Sequence, residues 1–489
     1  MSESEGNPRS ARPQPEVSGV EEFVPAFAAG DEDSIAAHRW YVEHAVLIVS
    51  TVKWAVLGAS VGVCVGFGTR AFLLTLAWAT RLTAALEIGL FRTVYLLPVA
   101  LPVCVWLIRT FAPGARGHGT EAVIQAVHTN AGRVDVKVAP IKLFATVLTL
   151  AFGGSVGKEG PCAQIGAAIT SGLADILRLT DEDRRRLVIC GIGAGFAAVF
   201  GTPISGALFG IEVLYLGRIE YPLLFPCLVA GLVAHLVCGT SPPVTHFHSS
   251  LGGLTGWSLV MIAVAAGLLF GVIAILLIEA MKVGRTSLYR LRGRPYLVAS
   301  GGGIFLVLLY SVFGMEYAGL GTDVIEATMG GAMTVTLAAF ALKIISTTVT
   351  LETGGSGGIV TPLFFIGSTA GAAFAKVFHL PVGACAAFGM VSVLAAAANA
   401  PIAAAVMGIE LIHGSVGVYA ALSACTAYLI VGHRSVYPSQ LLGEAKSASI
   451  QLPDDVTVGE IDVAHMGYRK GPVLRLMSRF VRRWREKHE

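Results

Sequence analysis

The sequence predicts an all-α polytopic membrane protein made of two related halves. Three observations carry this. The composition is too apolar for a soluble fold. Many of its apolar runs are too short to span a bilayer. And a glycine-rich motif recurs about 200 residues further along the chain.

Of 489 residues, 54% are hydrophobic and 14% are charged, against about 25% charged in ordinary soluble domains. A chain of this size cannot bury so much apolar surface by itself, so lipid must be part of its solvent. The eight cysteines are scattered without a CxxC pair, mostly within apolar runs. They read as small core residues, and no metal site or disulfide framework is expected. The net charge of +3 implies no nucleic-acid partner.

Residues 1–37 are polar and acidic and are expected to form a disordered tail. No short basic segment precedes an early apolar one, so no cleaved signal peptide is expected. Apolar runs cover roughly 44–67, 88–110, 139–152, 187–200, 203–217, 222–239, 256–281, 297–314, 332–351, 361–378, 381–398, 400–413 and 415–432. Several fall well short of the roughly 20 residues of a spanning helix. Short runs interrupted by Gly and Pro suggest half-helices that meet inside the membrane. The membrane region is placed at 38–445, with halves of about 40–240 and 250–445, and a basic tail at 446–489. Eight Lys or Arg residues lie between Arg469 and Lys487, so the C-terminus is expected to be cytoplasmic. Leu474, Met477, Phe480, Val481 and Trp484 in this tail recur at helical spacing, as in a helix lying on the membrane surface; a solvated basic tail is the other reading.

The repeat aligns Lys142–Pro161 (KLFATVLTLAFGGSVGKEGP) with Lys343–Pro362 (KIISTTVTLETGGSGGIVTP) at an offset of 201, with nine of twenty positions identical. Downstream, Pro203 leads to Gly210-Ile211-Glu212 and Pro401 to Gly408-Ile409-Glu410, at an offset of 198. Two ordered matches at nearly one offset indicate duplication. Duplicated membrane halves suggest a channel or transporter with its site between them. Hydropathy alone leaves open whether the halves are inverted.

Each copy reads as an apolar helix, a Gly-Gly-Ser-x-Gly break, and a new helix with Pro in its first turn. Such a break leaves a helix N-terminus inside the membrane, with unpaired N–H donors and roughly half a positive charge. That end binds an anion without a basic side chain, and partial charges permit entry and exit where a full charge would trap the ion. Glu159 stands at the start of the first such helix. A carboxylate there is a functional candidate by default: a tethered anion competing for the same amides, able to take up a proton when displaced. The alternative is a helix-cap carboxylate exposed to water. Gly157-Lys158 lacks the flanking residues of a phosphate loop, since Phe152 and Glu159 occupy its required Gly and Ser/Thr positions. No HExxH motif is present, and the Asn399-Ala400-Pro401 tripeptide carries little weight.

With these motifs in order, residues 40–445 resemble the CLC family of chloride channels and proton/chloride exchangers. Gly157-Lys158-Glu159-Gly160-Pro161 resembles the family's GREGP, whose Glu is a gate. Gly358-Ile359-Val360-Thr361-Pro362 resembles GxFxP, with Val360 in place of Phe. Tyr437 matches the tyrosine that closes the central site. The resemblance implies a homodimer of subunits with about 18 tilted and broken helices in an inverted repeat, each subunit with its own pore. It implies chloride held by amides of Gly160, Ile359 and Val360, with Tyr437 completing the site. Chloride and similar anions, with protons in the exchanger case and membrane lipid around the chain, are then the partners, no cofactor beyond bound chloride and no enzyme activity is implied, and the expected location is the inner (plasma) membrane of a bacterium with both termini cytoplasmic.

Three departures stand out. Gly117-His118-Gly119-Thr120-Glu121 replaces GSGIP, which puts His118 beside Gly119 at the selectivity position; His118 either donates to the anion or bonds its own loop. Val213 replaces the inner proton glutamate of the exchangers, a change that favours passive chloride conduction gated by Glu159. Only about 40 residues follow the membrane region here, so paired CBS modules are not expected. A proton/chloride exchanger using water is the alternative, and a broken-helix transporter for another solute, such as a sodium-coupled carboxylate, is a remote one.

Overall fold

The computed structural model describes residues 32–468, apart from 88–91, 240–246, 249–250, 252, 254–255, 292, 333–334, 414–415, 454–455 and 462–466. The first 31 residues and the run from Arg469 to Lys487, both expected to be tails, lie outside the described residues. The chain divides into two units, residues 1–53 and 54–489. In the first, the described part is the opening stretch of one long helix. The second holds the remainder of that helix and every other described element.

Sixteen α-helices are present among the described residues, against the eighteen or so that the resemblance implies. They are α1 (Glu32–Ala85), α2 (Leu97–Phe111), α3 (Thr120–Thr129), α4 (Val138–Ala151), α5 (Glu159–Ile176), α6 (Asp181–Phe200), α7 (Pro203–Glu212), α8 (Leu224–Cys238), α9 (Trp257–Ser287), α10 (Pro295–Phe313), α11 (Thr322–Met329), α12 (Ala339–Glu352), α13 (Val360–Phe378), α14 (Val382–Ala398), α15 (Pro401–Leu411) and α16 (Val416–Ile430). Among the described residues, six segments are long and apolar enough to cross a membrane, while α4, α14, α15 and α16 are apolar but shorter. Helix α1 begins at Glu32, inside the segment assigned to the tail. Helices α3, α5 and α11 escape a hydropathy reading. Two are short and amphipathic, and α5 is rich in Ala, Gly, Ser and Thr rather than large apolar residues.

The fold is arranged inside out relative to a soluble protein. Leu187–Phe200 of α6 and Gly383–Ala398 of α14 are buried throughout. Trp78, Met261, Leu308 and Phe313 on outer helices are exposed, as lipid-facing side chains must be. The buried helices approach closely at small residues. A Cβ on Gly166 would strike the Gly191 backbone, and one on Gly367 would strike that of Gly389. These are equivalent contacts in the two halves.

The duplication is visible as geometry. Gly157 N–H donates to Gly358 O and Gly358 N–H to Gly157 O, both at 2.7 Å, as an antiparallel bridge. Equivalent residues that exchange both bonds are related by a local two-fold axis between them. Around this axis contacts come in twins. Thr149 Oγ1 accepts from Ser356 N–H at 3.0 Å and Thr350 Oγ1 from Ser155 N–H at 3.1 Å. Lys142 Nζ donates to Ala115 O and Gly117 O, and Lys343 Nζ to Tyr317 O and Gly319 O. Each buried ammonium thus holds a carbonyl-lined loop ahead of α3 or α11.

Glu212 and Glu410 form the outermost twins. Glu212 accepts from the N–H groups of Ile402 and Ala403 at 3.0 and 2.7 Å, and Glu410 from those of Ile204 and Ser205 at 3.1 and 2.8 Å. Each carboxylate caps the half-helix of the other half, α15 or α7, where orphan donors and the helix dipole favour negative charge. Glu212→Ala is expected to cost about 2–3 kcal/mol, the scale of two charge-assisted bonds lost at a buried site. Glu410→Ala, at a more exposed cap, should cost about 1 kcal/mol. Thermal unfolding in detergent checks this; equal midpoints for both variants and wild type would remove the caps from the account.

Candidate anion-binding site

The two repeated motifs meet because each first helix is stopped by a residue that only glycine holds without strain. Gly153 after α4 has φ +89° and Gly354 after α12 has φ +116°. The chain turns back, pairs through Gly157 and Gly358, and starts α5 and α13 with their N-termini at the centre of the fold.

Glu159 is fully buried at the start of α5. Its carboxylate lies on the N-terminus of the other half's helix: Oε2 accepts from Thr361 N–H at 3.1 Å, and the Thr361 hydroxyl donates to Oε1. No ion pair among the described residues involves it. The water-exposed cap reading is therefore excluded. Negative charge sits on peptide N–H, a hydroxyl and a helix dipole, which is the chemistry expected for the transported anion.

Ile359 and Val360 are both fully buried at the start of α13, but Thr361 N–H is the donor to the carboxylate. Sequence reasoning missed Thr361. The signal was there: it is the only hydroxyl residue in either copy between the last motif glycine and the proline. On the opposite side, Gly119 and the carbonyl of His118 press on Gly160 so closely that neither glycine has room for a Cβ.

His118 is buried, and its Nδ1 has no partner, so this nitrogen does not bond its own loop. The loop itself recurs. Gly117-His118-Gly119-Thr120-Glu121 aligns with Gly319-Leu320-Gly321-Thr322-Asp323 at an offset of 202, an extension of the repeat that sequence reasoning did not pick up.

Tyr437 is buried, with the hydroxyl of Thr120 beside its own, and within electrostatic reach of Glu121 and Glu159. Its segment is locked from behind. Tyr437 N–H donates to Ser435 Oγ at 3.0 Å, and Ser435 Oγ donates to Gln440 Oε1 at 2.6 Å. Gln440 Nε2 donates to Val213 O and Ala398 O, both at 2.8 Å. Asn399, a left-handed C-cap of α14, donates to Arg434 O and Gln440 Oε1. A two-residue parallel pairing of Tyr215–Leu216 with Leu441–Leu442 ties the end of this segment to the residues after α7. Val213 is fully buried, and its carbonyl supports the Tyr437 segment. Gln440 and Asn399 carry no spacing signal and are recognisable only in three dimensions.

A family model described as Voltage gated chloride channel matches residues 99–432. The chain belongs to the CLC family. A chloride/fluoride channel protein of Pseudomonas syringae pv. tomato is 36% identical over 86% of this chain and 93% of its own length. An H(+)/Cl(-) exchange transporter, ClcA, of Vibrio parahaemolyticus is 26% identical over 79% of this chain and 88% of its own. The crystal structure of a CLC-type fluoride/proton antiporter superposes with a TM-score of 0.75 at 26% identity, over 80% of this chain and 98% of that one. The protein is thus an integral membrane CLC anion transporter with the family's all-α fold.

Proposed function

We propose that this CLC protein exchanges a halide for protons, the alternative to a passive channel. One observation carries it. The gate carboxylate of Glu159 occupies a helix N-terminus deep in the protein and makes no ion pair among the described residues, although Lys158 acts on it electrostatically. An anion that takes its place leaves the carboxyl without donors in a dry site, and protonation is the inexpensive way out. Anion entry and proton uptake are then coupled at one group. The names of the Vibrio exchanger and of the fluoride/proton antiporter support this, while that of the Pseudomonas relative is a channel's. Val213 favours the channel by residue type alone, but its position lies in the scaffold under Tyr437, and a proton path need not pass through it.

Chloride is the expected cargo, with fluoride beside it. Fluoride is the more strongly hydrated and needs strong donors in exchange, and the hydroxyl of Tyr437 and the ring of His118 in its Nδ1–H tautomer are of that kind. The homodimer and cytoplasmic termini belong to the same reading. The test uses vesicles carrying the purified protein, loaded with chloride or fluoride and diluted into halide-free buffer. Halide efflux is expected to drive protons inward against their gradient. Efflux with no proton movement returns the protein to the channel class.

A further inference from the structure

We propose that Glu121 carries protons between solution and the Glu159 site, the task for which Val213 has no proton-bearing atom. The proposal rests on the exchanger reading above. Glu121 is the second residue of α3, directly after the His118–Gly119 turn that packs on Gly160. Its Oε1 accepts from the N–H and hydroxyl of Ser439 at 3.1 and 2.6 Å. Ser439 lies two residues past Tyr437, so the carboxylate is fixed to the Tyr437 segment. Its Oε2 is buried and has no partner, and the hydroxyl of Tyr437, beside that of Thr120, lies within electrostatic reach of both Glu121 and Glu159.

The other carboxylates near the core are spoken for. Glu212 and Glu410 each use both oxygens on backbone amides. Glu352, at the end of α12, is paired with Arg285 of α9 at 3.7 Å. Among the described residues, Glu121 alone combines a satisfied oxygen that holds it in place, a free buried oxygen, and partial exposure of the residue. Glu159 is sealed from solution, so its proton must be handed on from a group that is not.

The charged and titratable groups acting on Glu121 come from every element around it. Arg285 of α9 acts on both Glu121 and His118, His118 lies on the loop ahead of α3, and Tyr437 lies on the C-terminal segment. In the proposed step, water entering beside the partly exposed Glu121 delivers a proton to its buried Oε2. That O–H bond then breaks as one forms on Glu159, by way of Tyr437 Oη or a water beside it. No electrons change hands and no co-reactant is needed.

A purely structural role for Glu121, holding Ser439, would make a different prediction. Glu121→Gln keeps an oxygen for Ser439 and nearly the same shape, but carries no exchangeable carboxyl proton. In reconstituted vesicles the number of protons moved per halide is expected to fall at least tenfold. An unchanged ratio overturns the proposal, including the case in which both fluxes fall together. If the Gln variant does not fold, Glu121→Asp and Glu121→Asn decide the matter, since they differ only in the ionisable group. The Asp variant is expected to retain coupling that the Asn variant loses, and equal ratios in the two would sink the idea. A wild-type protein that moves no protons removes the exchanger reading itself, a result distinct from any difference among the variants.

Discussion

Glu159→Gln gives a transporter whose proton movement falls at least tenfold and whose halide flux no longer responds to pH. Glutamine has the size of the protonated side chain. Its carbonyl accepts from Thr361 N–H as the carboxylate does, and the Thr361 hydroxyl can turn to accept from its NH₂. The geometry therefore survives while two properties disappear. A neutral amide competes weakly with an anion for the α13 N-terminus, because the favourable charge–dipole term at a helix end, up to about 2 kcal/mol when partly buried, applies only to a charged group. It also cannot release or accept the coupled proton. Flux assays at several pH values, alongside proton uptake, read both. Steep pH dependence surviving in the variant would mean that Glu159 neither gates nor couples.

The second large effect is steric. Gly358→Ala is expected to abolish most transport and to lower stability by about 1–3 kcal/mol, the usual range for overpacking a tight core. A Cβ at Gly358 would stand 2.6 Å from Gly160 N, 3.1 Å from Gly160 Cα and 3.3 Å from Pro161 Cδ. The first two of these are backbone atoms, so no rotamer change relieves the contact. The two halves must separate where their helix ends present donors to the anion. Catalytic and binding geometries tolerate little displacement, and about 1 Å can cost a hundredfold. Gly301→Ala on α10, where a Cβ meets nothing within 4 Å, is the control and should leave both flux and unfolding midpoint as they are. Equal behaviour of the two variants would show that the bridge between the motifs is not tight enough to matter.

The duplication, the broken helices and the gate carboxylate were legible because each rests on local chemistry. Gly153 and Gly354 interrupt apolar runs at matched positions, and Pro161 and Pro362 restart them. Helices such as α3 and α11, ten and eight residues long, were not legible, because they are neither long nor apolar. They are stable through packing on the buried core, and packing has no one-dimensional signature. Thr361 was passed over for a related reason. Sequence places it one residue beyond the expected amides, and only the crossing of the two motifs brings Glu159 to its N–H and hydroxyl.

By itself the sequence determined the membrane setting, the two halves, the family and the residue types able to bind an anion without a basic side chain. Those properties follow from composition, glycine and proline positions and a repeat, all of which are written along the chain. Tertiary structure alone decided which amide meets Glu159, that Glu212 and Glu410 cap each other's half-helices, that Gln440 anchors Tyr437, and that Glu121 keeps a free buried oxygen. Each of these joins residues up to about 300 positions apart. Their partners are set by a two-fold axis that exists only once the halves have folded against one another.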